Sequence, residues 1–327
     1  MKKRFFLLFL SILLIVYMMG PKPRKGEYTD GLNKIPYDGL ALEQWVQAKE
    51  AKAGTRPDNQ ARIIWHNDTS KHKTKYVVVY LHGFTASQEE GNPVHMNFAR
   101  HIGANMYLSR LSEHGLKTEF PLMKMTATSL WESAKEAYAI GKKLGDSIIL
   151  VGTSTGGTLA LMLAAEQYPE IAGLVLMSPN IAINERFAFL LNNHWGLRIA
   201  RIVKGSETIM AKDTSMIFRK YWYSPYRIEG AVELEQMLEE KMNKETFTAV
   251  KQPTLLMYYY KDEIHQDSVV KVSAMLDMFK KISSTKKKQI AIPNAGDHII
   301  GSAIKSKDWQ TVQKEAEAFA DQMNWRN

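Results

Sequence analysis

Apolar residues along this chain fall into two alternating patterns. Short unbroken runs such as Val77-Val78-Val79-Tyr80-Leu81 leave no polar face, as expected of strands buried on both sides of a sheet. Longer stretches with apolar residues three and four apart predict helices. Strands are expected at 61–66, 75–81, 106–110, 147–152, 171–178, 254–260 and 288–293. Helices are expected at about 94–102, 129–144, 155–168, 267–282 and 307–323. Strand–helix alternation predicts an α/β fold with a mostly parallel central sheet flanked by helices.

Two segments break the rhythm. Between the strands at 171–178 and 254–260 lie about 75 residues, too many for one crossover. They include Phe187, Phe189, Trp195, Phe218, Tyr221, Trp222, Tyr223, Tyr226 and Phe247, and residues 181–251 read as a helical cap inserted over the carboxyl ends of the strands. The expected organisation is therefore an N-terminal segment 1–20, a tether with a packing helix over 21–60, a core from 61–180 and 252–327, and the cap.

At the amino end, Lys2-Lys3-Arg4 precede the uncharged run Phe5 to Met19. Fifteen helical residues rise about 22 Å, short of the roughly 30 Å hydrocarbon core. The run is apolar on every face, which argues against a buried first helix. No small-x-small cleavage site follows it, so the pattern favours an uncleaved signal anchor over a cleaved signal peptide. Basic residues flank both ends, and the free amino group tips the expectation toward an exported body, with secretion after cleavage as the alternative.

Composition narrows the chemistry. The 327 residues are 45% hydrophobic and 24% charged, which is ordinary for a globular protein. The net charge of +9 is dispersed. It reads as surface solvation biased toward anionic lipid rather than as a nucleic-acid footprint. Cysteine is absent, which removes disulfides, thiolate nucleophiles and Cys-ligated zinc.

The stretch Val151-Gly152-Thr153-Ser154-Thr155-Gly156-Gly157 stands where a buried strand should become a helix. In that setting Gly152-x-Ser154-x-Gly156 matches a nucleophile elbow, whose glycines relieve clashes around a strained serine. The bland alternative is a tight turn with Ser154 as an N-cap. Serine needs a base. Of nine histidines, His298 follows the last predicted strand and so falls at the carboxyl edge of the sheet, where open α/β folds bind ligands. The histidine needs an orienting acid. Asp262 lies two residues past the strand at 254–260 and is the expected partner. Glu263 is a rival, and so is Asp267, although an N-cap role explains the latter. Oxyanion donors are expected from the backbone N–H groups of Phe84, in His82-Gly83-Phe84, and of Thr155. His82 and His114 read as loop architecture.

The set His82-Gly83-Phe84, Gly152-x-Ser154-x-Gly156, Asp262 and His298, in that order, resembles the α/β-hydrolase superfamily from about residue 62 onward. The loop Arg110–Gly115 and the insertion are similar to those of its carboxylesterase, monoacylglycerol lipase and serine aminopeptidase-like branch. That resemblance implies an acyl-serine hydrolase without metal or cofactor. Tyr258-Tyr259-Tyr260-Lys261 departs from the branch, where a glycine often precedes the acid. The expected activity is hydrolysis of apolar or lipid-like carboxylic esters. The same residues also suit an amidase, an acyltransferase or a serine aminopeptidase, which would need a cap carboxylate to receive the substrate ammonium; Glu233, Glu235, Glu239 and Glu240 are present, but on a helix that reads as solvated. A non-catalytic membrane-tethered binding module is the alternative of another class.

Overall fold

The computed structural model describes residues 2–326. In chain order it forms α1 (Lys2–Met18), α2 (Gly39–Ala53), β1 (Arg62–Ile64), β2 (Thr74–Leu81), α3 (Val94–His101), β3 (Asn105–Leu108), α4 (Ala127–Leu144), β4 (Gly145–Thr153), α5 (Thr155–Ala165) and β5 (Ile171–Met177). The insertion then supplies α6 (Gly196–Lys204), β6 (Thr208–Ile209), α7 (Met216–Tyr221), β7 (Tyr226–Arg227), α8 (Ile228–Lys241) and α9 (Lys244–Ala249). The chain closes with β8 (Thr254–Tyr258), α10 (Val272–Lys281), β9 (Lys287–Ala291) and α11 (Trp309–Gln322).

Seven strands form one sheet in the order β1-β3-β2-β4-β5-β8-β9. Only β1 runs antiparallel to its neighbour; the other pairings are parallel. The unbroken apolar runs now have a reason. Val77, Val79 and Leu81 join Ile148 and Leu150 in a core with α4, α5 and α10. Val78 and Tyr80 join Ile149 and Val151 in a second core with α3 and α11 on the opposite face. A period of two thus sends alternate apolar residues to two buried faces. Each such Val or Leu contributes about 1.5–3 kcal/mol by leaving water.

The tether is pinned along α4: Trp131 Nε1 donates to Thr29 O at 2.8 Å, and Lys135 Nζ donates to Gly31 O at 2.7 Å. On α2, buried Glu50 accepts from Arg110 Nε at 2.6 Å and from the Ala61 N–H at 2.9 Å, joining the helix to the sheet edge.

The insertion is anchored beside the carboxyl ends of the strands. Tyr223 N–H donates to Thr85 O at 2.8 Å, and the Tyr226 ring meets the Phe84 ring edge-on at 5.3 Å. Phe218, Tyr221 and Trp222 form a small apolar cluster with Ala86 and Ile299. The expectation of a solvated helix around Glu233–Glu240 is corrected: α8 buries Ile228, Ala231, Leu234, Glu235 and Leu238.

Candidate active site

Strand β4 ends at Thr153 and α5 begins at Thr155, leaving Ser154 alone at the turn. Its backbone takes φ 52° and ψ −120°, a conformation that costs a non-glycine residue of order 1–3 kcal/mol. Two glycines make the turn possible. A Cβ on Gly156 would lie 1.8 Å from Leu81 O, and one on Gly152 would lie 2.6 Å from the Gly156 carbonyl. The surroundings hold the strain in place: Ser154 N–H donates to Met177 O at 3.0 Å, and Ser154 O accepts from Asn180 N–H at 2.9 Å. An N-cap role is not seen, because the Ser154 side chain makes no capping bond to α5.

His298, itself buried, lies in the loop after β9. Its Nδ1–H donates to Asp267 Oδ2 at 2.6 Å, a polarity fixed by the carboxylate, which can only accept. Nε2 is buried and has no hydrogen-bond partner. Burial alone would disfavour the imidazolium, but the adjacent Asp267 carboxylate outweighs it and raises the pKa of His298 above the ordinary histidine value. Burial likewise opposes ionisation of Asp267. His298 and the N–H groups of Val270 and Val269 overcome that and hold its pKa below the usual carboxylate value.

The structure therefore pairs His298 with Asp267, and the expectation that Asp262 is its partner is corrected. Asp262 is exposed and accepts from its near neighbours, the backbone N–H groups of Ile264 and His265 and the His265 ring. Glu263 bonds Tyr260 OH at 2.9 Å. The reason is an excursion of the chain. A bridge joins Tyr260 to Gln266, and Asp267 N–H donates to Tyr259 O at 3.1 Å. Residues 261–265 therefore bulge outward, and Asp267, not Asp262, returns to the strand end. Its Oδ1 still accepts from the Val269 and Val270 N–H groups at 2.8 and 3.0 Å, and α10 begins only at Val272 rather than near 267.

The oxyanion candidates come from two places. Thr155 opens α5, where a first-turn N–H has no intrahelical acceptor. Phe84 follows Gly83, whose position a Cβ could not share: it would sit 3.0 Å from Ser154 Cβ and 2.8 Å from Glu90 Oε1. Two neutral histidines shape this loop. His82 Nδ1–H donates to Gly83 O at 2.8 Å while Nε2 accepts from Leu111 N–H at 3.0 Å. His114 Nε2 accepts from Thr85 N–H at 3.0 Å. Burial pushes the pKa of His82 down to about 4 and lowers that of His114 well below the ordinary value.

One group at this site was missed by sequence reasoning. Glu90, in the 3-10 turn Gln88–Gly91, is only 2% exposed and accepts from the Gly83 N–H through Oε2 at 2.5 Å. Burial raises its pKa to about 7. Among the described residues, no group of three or more His, Cys, Asp or Glu side chains could hold a metal ion.

A strained serine on a strand-to-helix turn, facing the carboxyl edge of a mostly parallel sheet that also carries a His–Asp pair, defines an α/β-hydrolase arrangement. Residues 128–300, more than half of the chain, match the family described as serine aminopeptidase, S33. The chain belongs to that family, in the monoacylglycerol lipase and aminopeptidase-like branch of the α/β-hydrolase superfamily. Over 107 residues it is 35% identical to a thermostable monoacylglycerol lipase of Bacillus sp. (strain H-257), an alignment spanning 32% of this chain and 41% of that lipase. In fold it is similar to a structure from work on LipS and LipT, two metagenome-derived lipolytic enzymes (TM-score 0.65, 18% identity, 82% of this chain and 99% of that one). It is also similar to a monoacylglycerol lipase of Paleococcus ferrophilus (TM-score 0.56, 14% identity, 79% and 98% covered).

Proposed function

We propose that this protein is a serine hydrolase that cleaves carboxylic esters with an apolar acyl group. The observation that carries the reading is the buried, unpartnered Nε2 of His298, backed by Asp267 at the sheet edge that bears the strained Ser154. In this reading Nε2 takes the Ser154 hydroxyl proton as Oγ bonds to the acyl carbon. The N–H groups of Phe84 and Thr155 stabilise the resulting oxyanion. His298 then hands the proton to the leaving alcohol as the ester C–O bond breaks. A water molecule gives a proton to His298 and attacks the acyl-serine. The acid departs and the proton returns to Ser154. The lipase alignment supports an acyl-ester substrate, as do the aromatic residues of the insertion.

The test is turnover of p-nitrophenyl esters across a series of acyl lengths, comparing the wild type with Ser154→Ala. Loss of turnover in a folded variant is the expected result. Retained turnover would dismiss the reading.

One observation favours a second substrate class. Glu235 on α8 is buried at 6% exposure, with Oε2 unpartnered, and burial raises its pKa to about 7. A buried free carboxyl on the insertion suits an amine-bearing substrate, hence an aminoacyl ester or amide. Comparing aminoacyl with fatty-acyl chromogenic substrates separates the two classes.

Membrane association through the N-terminal segment is part of the same proposal. No helix among the described residues is long and apolar enough to cross a membrane. Residues 3–18 of helix α1 are exposed. Its end meets the insertion, where Trp195 N–H donates to Pro21 O and Trp195 Nε1 to Tyr17 O. Helix α6, which Trp195 precedes, exposes Ile202 (80%) and Val203 (76%) between Arg198 and Lys204. Exposed apolar residues flanked by basic ones suit an anionic lipid surface.

A further inference from the structure

The Phe84 N–H lies between two backbone groups that buried histidines hold. On one side the Gly83 carbonyl accepts from His82 Nδ1–H at 2.8 Å and from Ala86 N–H at 3.3 Å. The Gly83–Phe84 peptide is trans, so the Phe84 N–H points away from that carbonyl. Among the described residues no acceptor meets it. On the other side Thr85 takes φ 67°, a left-handed conformation that persists only where the surroundings impose it. Both of its backbone groups are taken: the N–H donates to His114 Nε2 at 3.0 Å, and the carbonyl accepts from Tyr223 N–H at 2.8 Å. The Phe84 ring also lies edge-on to the His114 ring at 6.0 Å.

Neither histidine has a spare nitrogen. His114 Nδ1–H donates to Ser112 O at 2.8 Å, and His82 Nε2 accepts from Leu111 N–H at 3.0 Å. Each ring is therefore neutral, protonated on Nδ1 and accepting on Nε2. Each also joins the loop at 83–85 to the loop at 110–115. That second loop is itself fixed, because His114 O accepts from Arg110 Nη1 at 3.2 Å and Arg110 is ion-paired with buried Glu50.

We infer, on the serine-hydrolase reading, that His82 and His114 are positioning residues of the oxyanion hole: from either side they hold the strained turn that aims the Phe84 N–H at the substrate oxygen. The aim matters because the nucleophile is adjacent, a Cβ on Gly83 lying 3.0 Å from Ser154 Cβ. Charge developing on that oxygen is stabilised only by donors already pointed at its place. A small rotation of the Phe84 N–H therefore lowers kcat while leaving ground-state binding almost untouched.

The experiment compares wild type, His114→Asn and His114→Gln on an ester and on its thiono counterpart, in which sulfur replaces the carbonyl oxygen. Asparagine keeps a donor for Ser112 O near the place of Nδ1 but cannot reach the Thr85 N–H. Glutamine carries an acceptor at the distance of Nε2. His114→Asn should lower kcat on the oxygen ester by about 10–100-fold, less than loss of a whole oxyanion donor, with KM within about twofold. Sulfur gains little from the hole, so the preference for oxygen over sulfur should fall by about tenfold. His114→Gln should recover most of both. A fall in kcat with an unchanged preference is what a merely structural role gives, and it overturns the inference, as does an unchanged kcat. Should His114→Asn not fold, His82→Gln takes its place: glutamine keeps an acceptor for the Leu111 N–H but gives up the donor to Gly83 O. The same fall in preference is expected there, and its absence overturns the inference. A wild type that turns over neither ester removes the serine-hydrolase reading and this inference with it. An active wild type whose variant keeps its preference removes this inference alone.

Discussion

Asp267 and His298 face each other across 2.6 Å, each nearly sealed from water, although 31 positions separate them in the chain. Asp262, the acid nearer the strand end in sequence, is spent on His265. Replacing Asp267 with Asn should lower kcat by about 10³–10⁴-fold, because the amide can no longer hold the Nδ1–H tautomer. Asp262→Asn should leave kcat within about twofold. Steady-state kinetics on a chromogenic ester read both, and the reverse ordering would reinstate Asp262.

The strain at Ser154 is separable from its chemistry. Ser154→Gly should abolish labelling by a fluorophosphonate probe yet stabilise the fold by about 1 kcal/mol, since glycine accepts φ 52° without steric cost. Chemical denaturation of wild type and variant gives the difference. A less stable glycine variant would mean that the serine side chain contributes more than its backbone costs.

Gly156 tests the opposite limit. Its missing Cβ would overlap Leu81 O at 1.8 Å, and a backbone carbonyl in a sheet cannot yield as a flexible side chain does. Gly156→Ala should destabilise the fold by about 3 kcal/mol or more, or fail to accumulate as folded protein, as circular dichroism melting would show.

Three histidines predict the acid response of stability. Burial pushes His82 and His95 down to about 4 and lowers His114 well below the ordinary histidine value. Such groups stay neutral in the fold while the unfolded chain takes up protons below about pH 6.5. Stability should therefore be full above that pH and fall as pH drops from about 6.5 to 4, with each of His82 and His95 costing about 3 kcal/mol by the lower limit. His298, whose pKa is raised, works in the opposite direction over part of the range. Melting temperatures measured from pH 4 to 8 test the sign; a flat profile would contradict it.

The exposed residues of α6 give a surface prediction. Ile202→Asp with Val203→Asp should weaken binding to anionic phospholipid vesicles several-fold, as apolar insertion is lost and like charges repel. Turnover of a water-soluble ester should stay within about twofold. Unchanged sedimentation with vesicles would count against α6 as a lipid contact.

Much of the fold was legible because burial on two faces leaves an unmistakable pattern. Val77–Leu81 and Ile148–Val151 could hardly be anything but central strands, and each expected strand has a counterpart within a few residues. The elbow was legible for a related reason: glycines flanking a serine at a strand end mark where a backbone must pass closely. The acid was not, because its place depends on a bridge between Tyr260 and Gln266 that no local preference announces. Asp267 also makes cap-like bonds to the Val269 and Val270 N–H groups, the role its place before a predicted helix had suggested. Glu90 was hidden for the opposite reason. In Ser87-Gln88-Glu89-Glu90-Gly91 it looks like a solvated polar turn, and only the fold carries that turn inward, with Glu90 buried and Glu89 left more open. The glutamates of α8 were misjudged alike, since a helix capped by its own domain on one side and a tether on the other has little solvated face left.

The outward bulge at 261–265 has a practical reach. Its ends are clamped by Tyr260 and Gln266, so its tip is mechanically insulated from the carboxylate that follows. A short peptide or affinity tag grafted between Glu263 and Ile264 should be carried as a passenger, giving a handle beside the strand end that bears Asp267 on an otherwise intact molecule.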